Sequence, residues 1–266
     1  MRNFLTLIAL VVSPGFIAVA ADAPVDAGAK WAVHEWGTFT SLQDENGDAV
    51  RGINTDDEPV PDFVHRYADF LLLSPTEAPA ILSKGPPNCH LDVTMRLETP
   101  VLYLHPPASG TTAEGVKVKA TFNGGWLTEY FPAAEVTASG VAPGPAGGYG
   151  HLTEDTVSTL TWNDLKVGGR WTGPVTDQHV WTAPRAVEAA SVQGTNAEAE
   201  KFLFYRGVAH LDAPIRVAAN SDGNELVLTS QWPRKVAGEP IPVRSLWLVD
   251  IQEDGKIAFT RTSSRL

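Results

Sequence analysis

Cysteine is nearly absent: Cys89 is the single one in 266 residues. One thiol excludes an intramolecular disulfide, so the fold rests on core burial even in an oxidising compartment. Free cysteine is among the most buried residue types, and an inert, buried Cys89 is the simpler reading beside pairing between chains or metal binding. An excess of basic charge is missing too. Lysine and arginine number 20 against 31 acids, for a formal net charge of −11, and the basic residues are scattered, as in Lys117 and Lys119. That balance argues against nucleic acid and anionic lipid as partners. Charged residues make up 19 % of the chain and hydrophobic residues 43 %. Such a composition belongs to a packed globular protein rather than a disordered one.

The local signatures of several enzyme classes are also lacking. There is no Gly-x-Ser-x-Gly elbow, no Ser-x-x-Lys, no Cys-x-x-Cys and no Walker sequence, and Gly148-Tyr149-Gly150 is too short for a dinucleotide loop. The seven histidines, His34, His65, His90, His105, His151, His179 and His210, contain no His-x-His, and His34-Glu35 lacks a second histidine four residues on. They read as structural or surface groups rather than as a transition-metal site. Cys89-His90 with Met95 does not have the spacing of a blue-copper ligand loop.

Long apolar runs are confined to the N-terminus. Arg2 precedes residues 4–12, apolar except for Thr6; Ser13-Pro14-Gly15 breaks the run, and Ala18-Val19-Ala20 supplies small residues at the cleavage positions. The pattern is that of a secretory signal peptide cut after Ala20 or Ala21, rather than an uncleaved anchor. Residues 1–20 are thus expected to be the signal, 21–30 a linker and 31–266 one β-rich domain, periplasmic or extracellular, with a two-lobe split near 138–150 as the alternative. No later segment is apolar enough to span a membrane.

Strand signals fill the rest. Glu45-Asn46-Gly47-Asp48, Ser221-Asp222-Gly223-Asn224 and Glu253-Asp254-Gly255-Lys256 are hairpin turns in sequence, because Asn-Gly and Asp-Gly readily take positive φ. Alternating or apolar runs predict strands at 32–42, 94–104, 116–122, 126–131, 156–162, 201–208, 215–219, 226–231, 245–251 and 256–262. A helix is predicted at 61–72, with a single helical turn at Thr195-Asn196-Ala197-Glu198. Residues 138–150, rich in Gly, Pro and Ala, form a loop or hinge. The expected fold is all-β: a multi-stranded antiparallel β-sandwich, or two packed sheets, with one or two short helices.

The most distinctive stretch of the mature chain is His34-Glu35-Trp36-Gly37-Thr38-Phe39-Thr40. In a strand His34, Trp36 and Thr38 share one face and Glu35, Gly37 and Phe39 the other, so either face carries an ionisable group beside apolar ones. A desolvated group of this kind has a shifted pKa, which makes His34 and Glu35, with Glu98 and Arg206, the candidate catalytic residues of a glycosidase- or esterase-like hydrolase. The competing reading is a buried Glu35 paired with Arg96 or Arg206. Glu35, Glu98 and Glu129 would serve a glycosidase only at a defined carboxyl separation, which sequence does not give.

The same stretch resembles a family of exported bacterial proteins, from planctomycetes especially, whose mature domains open with Val-His-Glu-Trp-Gly-Thr-Phe-Thr. Further similar blocks are residues 61–66, 97–103, 127–132 and 201–207, so the resemblance touches most of the mature chain. Family members carry a segment beyond the position of Leu266, which implies a shortened copy here. The resemblance implies no activity and transfers no site residue.

Two binding features remain. Asp44, Asn46 and Asp48 alternate in a turn as calcium ligands do, although Ala49 stands where a glycine is expected and Thr55 where a glutamate is; a solvated acidic hairpin is the alternative. Among eight tryptophans, Trp162 and Trp171 flank a polar, Gly-rich loop and are the expected exposed pair for stacking on a sugar. The leading functional expectation is a non-enzymatic binding or structural module of the periplasm or cell surface, with a polysaccharide or cell-envelope component as partner. A hydrolase and a calcium-stabilised domain are the alternatives.

Overall fold

The computed structural model describes residues 20–22, 30–51, 60–66, 92–140, 151–223, 225–231, 235–236, 239–240, 246–251 and 256–262. Alternation of apolar and polar residues decides which strand face is buried. The strands are β1 (Ala20–Asp22), β2 (Ala32–Thr40), β3 (His65–Arg66), β4 (Met95–His105), β5 (Ala113–Asn123), β6 (Gly125–Phe131), β7 (Glu135–Ala138) and β8 (Val157–Val167). A short helix, α1 (His179–Thr182), and a 3-10 turn at Pro184–Ala186 follow, then β9 (Val192–Gln193), β10 (Ala199–Glu200) and β11 (Leu203–Ala209). On β5, Val116, Val118, Ala120 and Phe122 are buried while Lys117 and Lys119 are exposed, the period of two expected of a strand with one face on a core.

These strands build two antiparallel sheets. The five-stranded sheet has the order β2-β4-β11-β6-β3, and the six-stranded sheet runs β1-β5-β8-β9-β10 with β7 also on β8. Their facing sides form one core, in which Leu97, Leu102, Leu104, Leu127, Leu203 and Tyr205 of the first sheet meet Val118, Phe122, Leu160, Trp162 and Leu165 of the second. Two packed sheets of an all-β chain are therefore observed, as the strand pattern predicts. Strands before and after residues 138–150 are interleaved in both sheets, since β11 lies between β4 and β6 and β8 lies between β5 and β9. β1 straddles the expected cleavage point and pairs with Lys117–Lys119.

The outer face of the five-stranded sheet carries a second core. Val101 and Tyr103 of β4, Phe131 of β6 and Phe202 and Phe204 at β11 pack against Val60, Val64 and Trp181. Trp181, on α1, is fixed by an indole N–H that donates to Glu200 Oε2 at 2.8 Å. The Arg185 guanidinium completes this buried pair, 2.7 Å from the same oxygen.

Beyond β11 the chain forms separate hairpins: β12 (Ile215–Ala219) with β13 (Leu226–Ser230), β14 (Lys235–Val236) with β15 (Glu239–Pro240), and β16 (Leu246–Ile251) with β17 (Ile257–Thr262). Ile215, Val217 and Leu246 share a small core. Among the described residues no helix is long and apolar enough to cross a membrane.

Two local expectations are corrected. The described part of the predicted helix at 61–72 is a turn at 62–63 leading into β3, with the remainder outside the described residues. Its apolar residues Val60 and Val64 cap the outer core, so tertiary packing overrides a helical pattern. Thr195-Asn196-Ala197-Glu198 is the hairpin turn joining β9 to β10 rather than a helical turn. Asn196 Oδ1 accepts the Glu198 N–H at 3.2 Å and Ala197 has φ 67°, because the side chains that cap helices also close turns. Cys89, residues 1–19 of the expected signal and the stretch 141–150 lie outside the described residues.

Candidate functional site

The distinctive stretch is β2, the edge strand of the five-stranded sheet. Its register on β4 sets His34 opposite Tyr103, Glu35 opposite Leu102 and Trp36 opposite Val101, then shifts before Thr38 pairs with Glu98. Gly37 sits at that shift because it faces the Pro100 backbone: a Cβ on it would lie 3.0 Å from Pro100 Cα. Proline has no N–H for a ladder, and a glycine bulge beside it lets the edge pass without an unpaired partner.

The two ionisable groups of the stretch therefore point to opposite sides. Glu35 shares the face of Leu102, toward the inter-sheet core. Its Oε1 is buried with no hydrogen-bond partner, and desolvation raises its pKa from 4.5 to about 7. His34 shares the outer face with Tyr103 and His105, each ring centroid 6.2 Å from its own. Tyr103 donates its hydroxyl to the Pro184 carbonyl at 3.0 Å. Burial, aided by the Glu200 charge, pushes Tyr103 up to about 12. Trp36, on the face of His34, is 48 % exposed, and on the other face Val33 is 44 % exposed.

Arg206 does not join this edge. It is buried on β11 with Nη1 3.2 Å from Glu129 Oε2, and Arg66 flanks the other oxygen of Glu129 at 3.2 Å. The expected Glu35–Arg206 pair is thereby replaced by an Arg66–Glu129–Arg206 cluster, and Glu35 is paired with neither Arg206 nor Arg96. Glu98 stands opposite Thr38 on β4, and its side chain lies outside the described residues.

The tryptophans divide otherwise than the sequence suggests. Trp162 is fully buried, with its indole N–H donating to the Pro132 carbonyl at 2.9 Å. Strand β8 continues past it to Val167, so the polar residues beside Trp162 are the outward half of a strand and not the rim of a loop. Trp171 is half-buried beneath the Arg185 guanidinium, 4.8 Å from its ring centroid, with a buried indole N–H that has no partner. Trp36 and Trp247 are the exposed tryptophans among the described residues.

In the acidic turn the oxygens are held by the chain itself. Asp44 Oδ1 accepts the N–H groups of Asn46 and Asp48, both at 2.9 Å. The Asp48 N–H foremost, then that of Asn46, holds Asp44 below the usual carboxylate range. Arg216 Nη2 donates to Asn46 O at 2.8 Å and to Asp48 Oδ1 at 3.1 Å. A guanidinium thus engages one of the side-chain oxygens, Asp48 Oδ1, that the calcium reading assigns to the ion. Among the described residues no group of three or more His, Cys, Asp and Glu converges as a metal site.

One polar pair escaped the sequence reading altogether. His65 Nε2 lies 2.9 Å from both carboxylate oxygens of Glu198, and its ring stacks on Tyr130 at 5.5 Å. Burial would raise Glu198, but His65, Asn196 and the Ala133 N–H together hold it below the usual range. The partners are 133 residues apart, and nothing local in either segment announces the contact.

No family model, curated protein or solved structure matches the chain.

Proposed function

We propose that this protein is a non-enzymatic exported binding module that takes a polysaccharide or other cell-envelope glycan along the free edge of its five-stranded sheet. The observation that carries the reading is Trp36, 48 % exposed on an edge strand, with exposed His34 on the same face. A half-exposed indole offers a sugar ring an apolar stacking surface, and the imidazole beside it supplies polar contacts to hydroxyls. The fully buried Trp126, Trp162 and Trp181 are core residues and offer no such surface. A non-enzymatic role also accords with the divergence of the candidate catalytic groups, since His34 and Glu35 point to opposite faces and Arg206 is bound to Glu129.

Retention on insoluble envelope glycans, with purified peptidoglycan and β-linked polysaccharides as probes, tests the reading. Wild type should be retained by one of them, and Trp36→Ala should bind about 10-fold more weakly, the scale of one lost stacking contact. Equal retention of both chains would refute it.

One observation favours a hydrolase instead. A half-buried carboxyl whose Oε1 is sealed without a hydrogen-bond partner, and whose pKa is raised to about 7, is tuned as a general acid would be. Turnover of a glycoside or ester that disappears in Glu35→Gln would establish that reading in place of the first.

A further inference from the structure

Three histidines of the described chain have hydrogen-bond partners. His65 meets Glu198, His151 meets the Asp92 carboxylate and His210 meets the Asp92 carbonyl. His34 and His105 have none among the described residues, and these two lie side by side. The β2–β4 register sets His34 opposite Tyr103 and Ala32 opposite His105, so the two imidazoles are diagonal neighbours on one face of the sheet. Their ring centroids are 6.2 Å apart. Tyr103 forms the third corner of the group, 6.2 Å from His34 and 6.3 Å from His105, with its hydroxyl committed to the Pro184 carbonyl. The backbone beneath is fixed on its other side as well, since the Leu104 carbonyl accepts the Ala190 N–H at 2.9 Å. His34 is exposed and His105 half-buried, so an ion in solution reaches both.

We propose that His34 and His105 chelate one divalent transition-metal ion of the zinc class. Imidazole nitrogen suits zinc, copper and nickel, whereas calcium and magnesium take oxygen ligands. A tetrahedral zinc ion with Zn–N bonds of about 2 Å holds two imidazole centroids roughly 5 Å apart. From 6.2 Å, a side-chain rotation that carries the exposed His34 ring about 1 Å closes the difference. Both ligands stand on paired strands, so little else has to be ordered when the ion binds. Among the described residues no third His, Cys, Asp or Glu completes the group. Water therefore fills the remaining positions, and the site is an open, exchangeable one rather than the closed four-ligand kind that holds a fold together. It stands whether or not the β2 edge takes a glycan.

Isothermal titration of the untagged chain with zinc chloride tests the proposal. Wild type should bind zinc saturably at this site. His34→Gln and His105→Gln should each weaken that binding by about 10-fold or more. The double substitution should weaken it little further, because loss of either arm already removes the chelate. His151→Gln, exposed and held by Asp92, should bind as wild type does. Since His34 is exposed, His34→Gln disturbs no packed core. The proposal is overturned by the absence of saturable zinc binding, by an unchanged affinity in either single variant, or by losses that add fully in the double variant, as two independent sites would give.

Discussion

At Glu35 desolvation acts without compensation, because Oε1 is buried and unbonded while Arg206 is bound to Glu129. The folded carboxyl titrates at about 7 against 4.5 for the free group, so between those values the native chain binds more protons than the unfolded one. Stability contributed by the protonated form is full below pH 4.5 and is lost as pH rises through about 7. Glu35→Gln cannot ionise. Urea melts should find it more stable than wild type by about 2–3 kcal/mol near pH 8 and equal to it near pH 4. Parallel pH profiles for the two chains would mean that the carboxylate is solvated or paired. The sequence showed that β2 carries an ionisable group on each face, since strand alternation requires it. It did not show which arginine pairs with which acid: the Glu129–Arg206 contact joins residues 77 apart and is set by the register of β6 on β11.

Among the elements, strands were legible and the departures from them were not. Alternating and apolar runs placed β4, β5, β6, β8, β11, β12, β13, β16 and β17 within a few residues of where they lie, although burial alternates cleanly in β5 and β8 while β6 and β11 are buried on both faces and β17 is exposed. No sequence signal marks α1, which is four residues long and places Trp181 against Phe202 and Phe204. The turn at 44–48 was recognised as a turn, and the hydrogen bonds that its acids make within the fold were not legible. Asp44 closes the turn through two N–H groups, and Gln43 docks it on β12 by accepting the Val217 N–H at 2.9 Å and donating to the Ile215 carbonyl. Asp44→Ala should therefore lower the melting temperature, whereas adding EDTA or calcium should leave the wild-type value unchanged. A rise with calcium, abolished in Asp44→Ala, would establish the ion-binding reading of this turn.

For the whole molecule, the arrangement of its sheets decides what is offered to a partner. Packing β4 between β2 and β11 leaves β2 as an edge strand among the described residues. The alternation that turns Glu35 inward turns His34 and Trp36 outward beside Tyr103. Free edges are a hazard that proteins usually blunt with charge, bulges or short length. This one is nine residues long, has its bulge at Gly37 and carries exposed Val33 and Trp36. The proposed glycan-binding role would account for so much apolar area at an edge. The measurement that bears most directly on this account is an amide chemical-shift titration of the isotope-labelled chain with soluble fragments of the glycan that retains it. The account predicts shifts concentrated at residues 33–36 and 103–105 that vanish in Trp36→Ala. Shifts centred elsewhere, or unchanged in Trp36→Ala, would contradict it.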